Sequence, residues 1–164
     1  MTSDKRTAYA AKLRIPCAVL GIRTAHGAVT GIEYLSKSER AQAPVDALAA
    51  RAVGQIESYL ADPHFAFTLP LAHPGTAFQQ RVRAELTRIP AGESRTYGEI
   101  ARALRTAPRA VGGACAANPI ALVVPCHRVV GVRGSLGGFM HADEGDPLAI
   151  KRWLLVHEGY RFGA

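Results

Sequence analysis

The chain has 164 residues, of which 48% are hydrophobic, and a formal net charge of +7. This is enough apolar material for one ordinary domain or for two small ones. No stretch approaches the roughly eighteen apolar residues of a membrane span, and residues 1–14 lack the apolar core of a signal peptide. We therefore expect a soluble cytoplasmic protein with no membrane partner. The excess of positive charge favours a polyanionic partner.

The first half of the chain predicts a small antiparallel sheet followed by a helix. Residues 15–35 have the pattern of two strands joined by a turn at Ala25-His26-Gly27, which is typical of a hairpin. Apolar residues then recur at helical spacing from Pro44 onwards. The helix is expected to end at Asp62-Pro63, because proline stops a helix.

The end of this half predicts a domain boundary. Residues 64–69 alternate in polarity as a further strand would, and residues 70–75 are rich in proline and glycine, as in a linker. We expect an N-terminal domain over residues 1–73 and a C-terminal domain over residues 74–164.

The second half of the chain has the pattern of successive helices. Thr76 is a suitable N-cap for a helix that the Pro90-Ala91-Gly92 segment ends. Thr96 and Glu99 have the spacing of a capping box, so a short helix is expected from Tyr97 onwards. The fold class is therefore α+β, with a small sheet-plus-helix domain packed on a mainly helical one.

A further short helix is predicted at residues 109–117, with Pro108 at its first position. With the helix before it, this forms a candidate helix-turn-helix, a motif that places its second helix against DNA. The surrounding segment has a single acid, Glu99, and six arginines, which are Arg95, Arg102, Arg105, Arg109, Arg128 and Arg133. A solvated basic face is the alternative interpretation of this charge.

The residues of this second helix are small or apolar, and two of them are glycines, Gly112 and Gly113. Each glycine costs a helix about 1 kcal/mol. A helix that reads bases needs several long polar side chains, and this one has only Arg109. Close approach to DNA with little sequence choice is one explanation, and tight helix packing inside the protein is the other.

The most reactive segment of the sequence follows a short apolar run. Residues 120–124 fit a buried strand, which leads into Cys126, His127 and Arg128. Positive neighbours favour the thiolate form of a cysteine. Adjacent residues do not face each other, so a bridging water is expected to carry the proton between Cys126 and His127.

The other cysteines, Cys17 and Cys115, lie among small or apolar neighbours and are expected to be packing residues. In a chain that is not exported, cysteines are expected to remain thiols. The spacing of the three cysteines does not fit a structural zinc site. We expect no metal and no cofactor.

The second half of the chain resembles the methylated-DNA–protein-cysteine methyltransferases. The resemblance covers nearly all of residues 75–164, and its most specific part is the Pro125-Cys126-His127-Arg128 core. The similar stretches occur in the family's order at residues 75–80, 89–93, 96–101, 109–114, 118–119, 124–130 and 154–159. The first half resembles the family's variable domain only loosely.

The resemblance implies a single-turnover reaction in which Cys126 accepts an alkyl group. The group would come from O6 of guanine, or O4 of thymine, in double-stranded DNA after the nucleotide has flipped out. His127 would act as the base through water, Glu158 would orient His127, and Asn118 would brace the turn. The protein is expected to be a monomer.

The resemblance also implies how the DNA and the damaged base are held. Arg109 would be the arginine finger that fills the vacated place in the stack, and Tyr97 would help to rotate the nucleotide and hydrogen-bond the flipped base. Further expected DNA contacts are Ala110, Gly112, Gly113, Ala114 and Arg128. The expected pocket residues are Tyr97, Val129, Phe139 and Met140.

The sequence departs from the family pattern after Gly138. Phe139 replaces the usual tyrosine, Met140 and His141 replace small residues, and residues 141–146 form an acidic insertion. The preferred size of the alkyl adduct is therefore left open. The alternative functions are a lesion sensor, which would lack the acceptor cysteine, a sequence-specific regulator and a cysteine hydrolase.

Overall fold

The computed structural model describes residues 8–138 and 147–162. Contacts group the chain into two compact units, Met1–Ala72 and His73–Ala164. Two expected pocket residues, Phe139 and Met140, lie outside the described residues, as does the insertion at residues 141–146.

The first unit contains a three-stranded antiparallel sheet in chain order. The hairpin around His26 and Gly27 is confirmed, but the strand before it was not predicted. That first strand carries Lys12 and Arg14, and these charged side chains weaken its apolar pattern. The strands are β1 (Ala11–Ile15), β2 (Ala18–Ala25) and β3 (Ala28–Leu35).

Helix α1 (Ala47–Ala61) contacts all three strands. It begins three residues after Pro44, because Asp46 is extended and its side chain accepts a hydrogen bond from the Ala49 N–H at 2.7 Å. It ends at Asp62, as predicted. The helix buries one face in the core of this unit, through Ala49, Ala52, Ile56 and Tyr59.

The strand predicted at residues 64–69 is wrong. The backbone of Thr68 bonds to side chains of α1, since its N–H donates to Gln55 at 2.9 Å and its carbonyl accepts from Arg51 at 2.7 Å. Phe65 and Phe67 pack edge to face. Helix side chains therefore satisfy polar groups that a neighbouring strand would otherwise have to satisfy.

The second unit is mainly helical, as the sequence predicts. A two-residue parallel pairing joins β4 (Arg95–Thr96) to β5 (Val129–Val130). No helix in residues 8–138 and 147–162 is long and apolar enough to span a membrane. In the described part of this unit, the α-helices are α2 (Ala77–Thr87), α3 (Tyr97–Leu104), α4 (Pro108–Ala116) and α5 (Pro147–His157). The predicted combination of a small antiparallel sheet with helices is thus confirmed.

The helix starts in this unit follow the predicted caps. Thr76 forms a full capping box with Gln79 at the start of α2. Thr96 accepts a hydrogen bond from the Glu99 N–H at 3.0 Å, but the returning bond from Glu99 is not present, so this box is only half formed. Pro108 occupies the first turn of α4 as predicted.

Candidate active site

The segment before Cys126 is a buried turn and not the predicted strand. Leu122 has a positive φ of 70°, which a strand does not allow. The Asn118 amide donates to the Val124 carbonyl at 2.9 Å, and its oxygen accepts from the Ile120 N–H at 3.1 Å. Asn118 thus satisfies backbone groups that would otherwise be buried without partners. This is the geometry expected of a residue that braces the turn.

Cys126 begins a single 3-10 turn, Cys126–Arg128, and is only 3% exposed. Burial raises the pKa of its thiol, although a hydrogen bond with Asn118 and the charge of Lys151 act in the opposite direction. Basic neighbours are expected to favour the thiolate, but in the protein without DNA the effect of burial on the thiol pKa is larger. A thiol held in this way needs a base before it can attack.

His127 and Glu158 form a buried pair, with His127 Nε2 2.9 Å from a Glu158 carboxylate oxygen. Burial lowers the pKa of His127, although Glu158 acts to raise it. Burial also acts to raise the pKa of Glu158, but hydrogen bonds from His127 and Arg128 bring it to about 2. The ring is therefore neutral at pH 7 and faces an ionised carboxylate.

This pairing fixes the tautomer of the His127 ring. A carboxylate only accepts hydrogen bonds, so Nε2 carries the hydrogen and Nδ1 keeps its lone pair. Nδ1 is buried and has no hydrogen-bond partner among the described residues. The free lone pair is what a general base requires.

Arg128 supports the same pair from its other side. Its Nε and Nη2 each donate to a Glu158 oxygen at 2.9 Å, and Nη1 donates to the Ile89 carbonyl. The family resemblance implies that Arg128 contacts DNA, and in the structure its guanidinium bonds to Glu158. Its geometry is that of a residue that positions the carboxylate.

The pairing of β4 with β5 places the start of α3 beside this turn. Arg95 pairs with Val129 in the β4–β5 register, and Val129 is fully buried. Tyr97 follows at once, and its hydroxyl donates to the Gly138 carbonyl at 3.1 Å. Burial raises the pKa of Tyr97 to about 12, and negative charge on Cys115 or Cys126, when either is ionised, acts in the same direction. Tyr97 therefore keeps its proton at pH 7 and can act as a donor.

Helix α4 presents an open surface of small residues. Arg109 and Gly113 are exposed, Ala110 and Gly112 are half-buried, and Ala114 is buried. Apart from its own helix backbone and chain neighbours, a Cβ added at Gly112 or at Gly113 would meet no atom of residues 8–138 or 147–162 within 4 Å. Packing inside the protein, the alternative explanation, therefore does not account for these two glycines.

One further member of the site, which the sequence did not indicate, is Lys151 of α5, and it is fully buried. Its ammonium group donates to the Leu136 and Gly138 carbonyls. The available signal was helical spacing, because Lys151 shares a stripe with the buried Leu155 and with Glu158. Among the described residues, no group of three His, Cys, Asp or Glu side chains could hold a metal ion.

A buried cysteine, followed in the chain by a neutral histidine that a carboxylate holds, is an arrangement suited to a class of proteins that use a thiol as nucleophile. The family model for the DNA-binding domain of 6-O-methylguanine DNA methyltransferase matches residues 77–160. The chain belongs to the 6-O-methylguanine DNA methyltransferase family.

Individual relatives agree with this assignment. The methylated-DNA–protein-cysteine methyltransferase of Methanosarcina acetivorans is 48% identical to this chain over 64% of the chain's length. The same alignment spans 65% of the length of the Methanosarcina protein. The Mycobacterium tuberculosis OGT solved in complex with DNA superposes with a TM-score of 0.77. That match is 37% identical and covers 90% of this chain and 91% of the other.

Proposed function

We propose that this chain is a single-turnover DNA repair protein that moves an alkyl group from O6 of guanine, or O4 of thymine, to Cys126. It would act as a monomer on double-stranded DNA, after the damaged nucleotide has flipped out. The observation that carries the proposal is a buried thiol that is followed in the chain by a neutral histidine, whose Nε2 is held by Glu158. The names of the relatives support it.

The chemistry is a displacement at the alkyl carbon. His127 takes the thiol proton through water, and the Cys126 sulfur forms a bond to carbon as the bond from carbon to O6 breaks. The electron pair of the broken bond goes to guanine, which gains one proton for the one that the thiol lost. The product is a thioether, which has no good leaving group, so each chain reacts once.

Donors that neutralise the growing charge on guanine make it a better leaving group. Tyr97 can supply such a donor, because its raised pKa keeps the hydroxyl protonated. The hydroxyl already donates to a carbonyl beside the residues expected to line the pocket. We infer that Tyr97 exchanges this bond for one to the flipped base.

Helices α3 and α4 are proposed to act as a helix-turn-helix that binds DNA without reading much sequence. Arg105, at the C-cap of α3, is in the left-handed conformation that ends that helix, and α4 begins three residues later. Arg109 is exposed at the start of α4 and is a suitable arginine finger. Arg102 and Arg105 are also exposed and lack an ion-pair partner within the described part of the chain.

Intact-mass measurement after mixing with duplex DNA that contains O6-methylguanine tests the proposal directly. We expect each chain to gain one methyl group, located at Cys126 by peptide mapping. Undamaged duplex of the same sequence is the control. Tight binding of the lesion with no gain in mass would overturn the proposal in favour of a lesion sensor.

Substitution of Gly113 by alanine is expected to affect stability and DNA binding in opposite directions. The added methyl group meets open space among the residues that the structure describes, and alanine favours a helix by about 0.5–1 kcal/mol. Thermal unfolding should therefore shift to higher temperature. On a surface that DNA approaches closely, the same methyl group should weaken binding about tenfold, as overpacked contacts do.

The matched control is Gly54→Ala in α1, where an added Cβ also meets nothing within 4 Å. It should stabilise the protein in the same way and leave DNA affinity unchanged. Equal DNA affinity for the Gly113→Ala variant and the parent protein, measured by fluorescence anisotropy, would show that α4 does not approach the DNA.

A further inference from the structure

Lys151 is a lysine buried in the second turn of α5. Burying an ammonium ion is costly unless its hydrogens are bonded. Lys151 donates to the Leu136 carbonyl, to the Gly138 carbonyl at 3.0 Å and to the Tyr97 hydroxyl at 3.5 Å. Buried charged groups can often be replaced by apolar side chains at little cost in stability. Stability alone therefore does not explain a charged side chain at position 151.

The bonds of Lys151 join the parts of the site that come from different elements. Tyr97 begins α3, and Leu136 and Gly138 belong to the segment that leads to the expected pocket residues. Gly137 has a positive φ of 68°, and a Cβ there would lie 2.9 Å from the Tyr97 ring. This segment therefore fits closely over Tyr97, and Lys151 fixes it there.

Within the described part of the chain, titratable groups from three elements face Lys151. They are Tyr97 of α3, Cys115 of α4, and Cys126 and His127 of the turn at Cys126–Arg128. The charge of Lys151 acts to lower the pKa of the Cys126 thiol. Burial lowers the pKa of Lys151 itself to about 8, so most molecules carry the charge at pH 7.

We propose that Lys151 is a positioning residue for alkyl transfer: its ammonium ion ties Tyr97 to the segment at residues 136–138 and supplies the positive charge that stabilises the Cys126 thiolate. The proposal rests on the function proposed above. Formation of the thiolate places a negative charge in a buried site, where a fixed cation is worth more than in water. His127 removes the proton, and Lys151 stabilises the anion that remains.

The test is the pH dependence of Cys126 alkylation by iodoacetamide, measured by peptide mapping so that Cys17 and Cys115 do not interfere. Lys151→Gln keeps a hydrogen-bond donor but removes the charge. We expect its rate at pH 7, where Lys151 of the parent protein is charged, to fall about tenfold. The two pH profiles should converge well above pH 8, where the parent lysine has lost its charge. Lys151→Met, which loses the donors as well, should slow the reaction at pH 7 at least as much.

The matched control is Arg152→Gln, which removes the same charge from the next residue of α5, where the side chain is exposed. Its profile should coincide with that of the parent protein. An unchanged profile for folded Lys151→Gln would overturn the proposal. If both Lys151 variants fail to fold, as judged by circular dichroism, the role of Lys151 is structural and the proposal also falls.

This measurement separates the proposal from the function on which it rests. Iodoacetamide needs neither DNA nor a flipped base. The change in the rate of Cys126 alkylation can therefore be observed even if the protein accepts no methyl group from O6-methylguanine. Conversely, methyl transfer with an unchanged pH profile in Lys151→Gln would leave the proposed function intact and remove only the role of Lys151.

Discussion

Replacement of Cys126 by serine is expected to lower alkyl transfer by several orders of magnitude while lesion binding persists. An alcohol is a far weaker nucleophile than a thiol with the same base, and the proposed DNA contacts of α4 do not involve Cys126. Intact mass after mixing with O6-methylguanine DNA should show no adduct. Anisotropy with the same duplex should show an affinity close to that of the parent protein.

Cys17→Ser is the control for the loss of a thiol. Burial raises the pKa of Cys17 to about 11, and this residue lies in the first compact unit, so its loss should leave transfer unchanged. A methyl group found on Cys115 or Cys17 in the Cys126→Ser variant would contradict the assignment of the nucleophile.

The parts of the fold that could be predicted are those with local signals. Thr76 and Pro108 mark their helix starts through the chemistry of the first turn, which needs no knowledge of distant residues. The turn at His26 and Gly27 is local in the same sense. The structure agrees at each of these positions.

The two wrong strands share one cause. In both segments the apolar pattern fits a strand, but the backbone groups are bonded by side chains, of Gln55 in one case and of Asn118 in the other. A side chain can form the backbone hydrogen bonds that a neighbouring strand would otherwise form. The spacing of apolar residues does not reveal this substitution. The pattern alone therefore could not separate a strand from an extended or turned segment.

Only part of the candidate site could be predicted from the sequence, because its contacts also join residues that are distant in the chain. Periodicity cannot bring His127 and Glu158 together across thirty-one positions, and only the family resemblance named the pair. The resemblance also assigned Arg128 to DNA, whereas its hydrogen bonds to Glu158 depend on the folded geometry. Lys151 was overlooked because a lysine in an amphipathic helix is normally exposed.

The pair of His127 and Glu158 is expected to act as one unit in proton transfer. Removal of a general base typically costs about 100- to 10,000-fold in rate. At neutral pH, we therefore expect His127→Gln and Glu158→Gln each to slow methyl transfer within this range. The double variant should be about as slow as the slower single variant, because each change disables the same step. Single-turnover kinetics on O6-methylguanine duplex measures all three.

The decline of the methyl-transfer rate at low pH should depend on the protonation of His127. Burial holds the pKa of its imidazole below the usual 6.5, so the ring keeps its lone pair at pH 6.5 and loses it only at lower pH. The rate of the parent protein should then decline on acidification below that point. In His127→Gln this decline should be absent, because no imidazole remains to be protonated.

The control for the carboxylate is Glu93→Gln, an exposed residue of the same unit, which should react like the parent protein. Glu158→Gln also leaves Arg128 without its buried partner, at a cost of about 3–5 kcal/mol in stability. Rates are therefore compared well below the melting temperature of each variant. If the two single losses multiply in the double variant, the residues act independently, and Glu158 does not serve the reaction through His127.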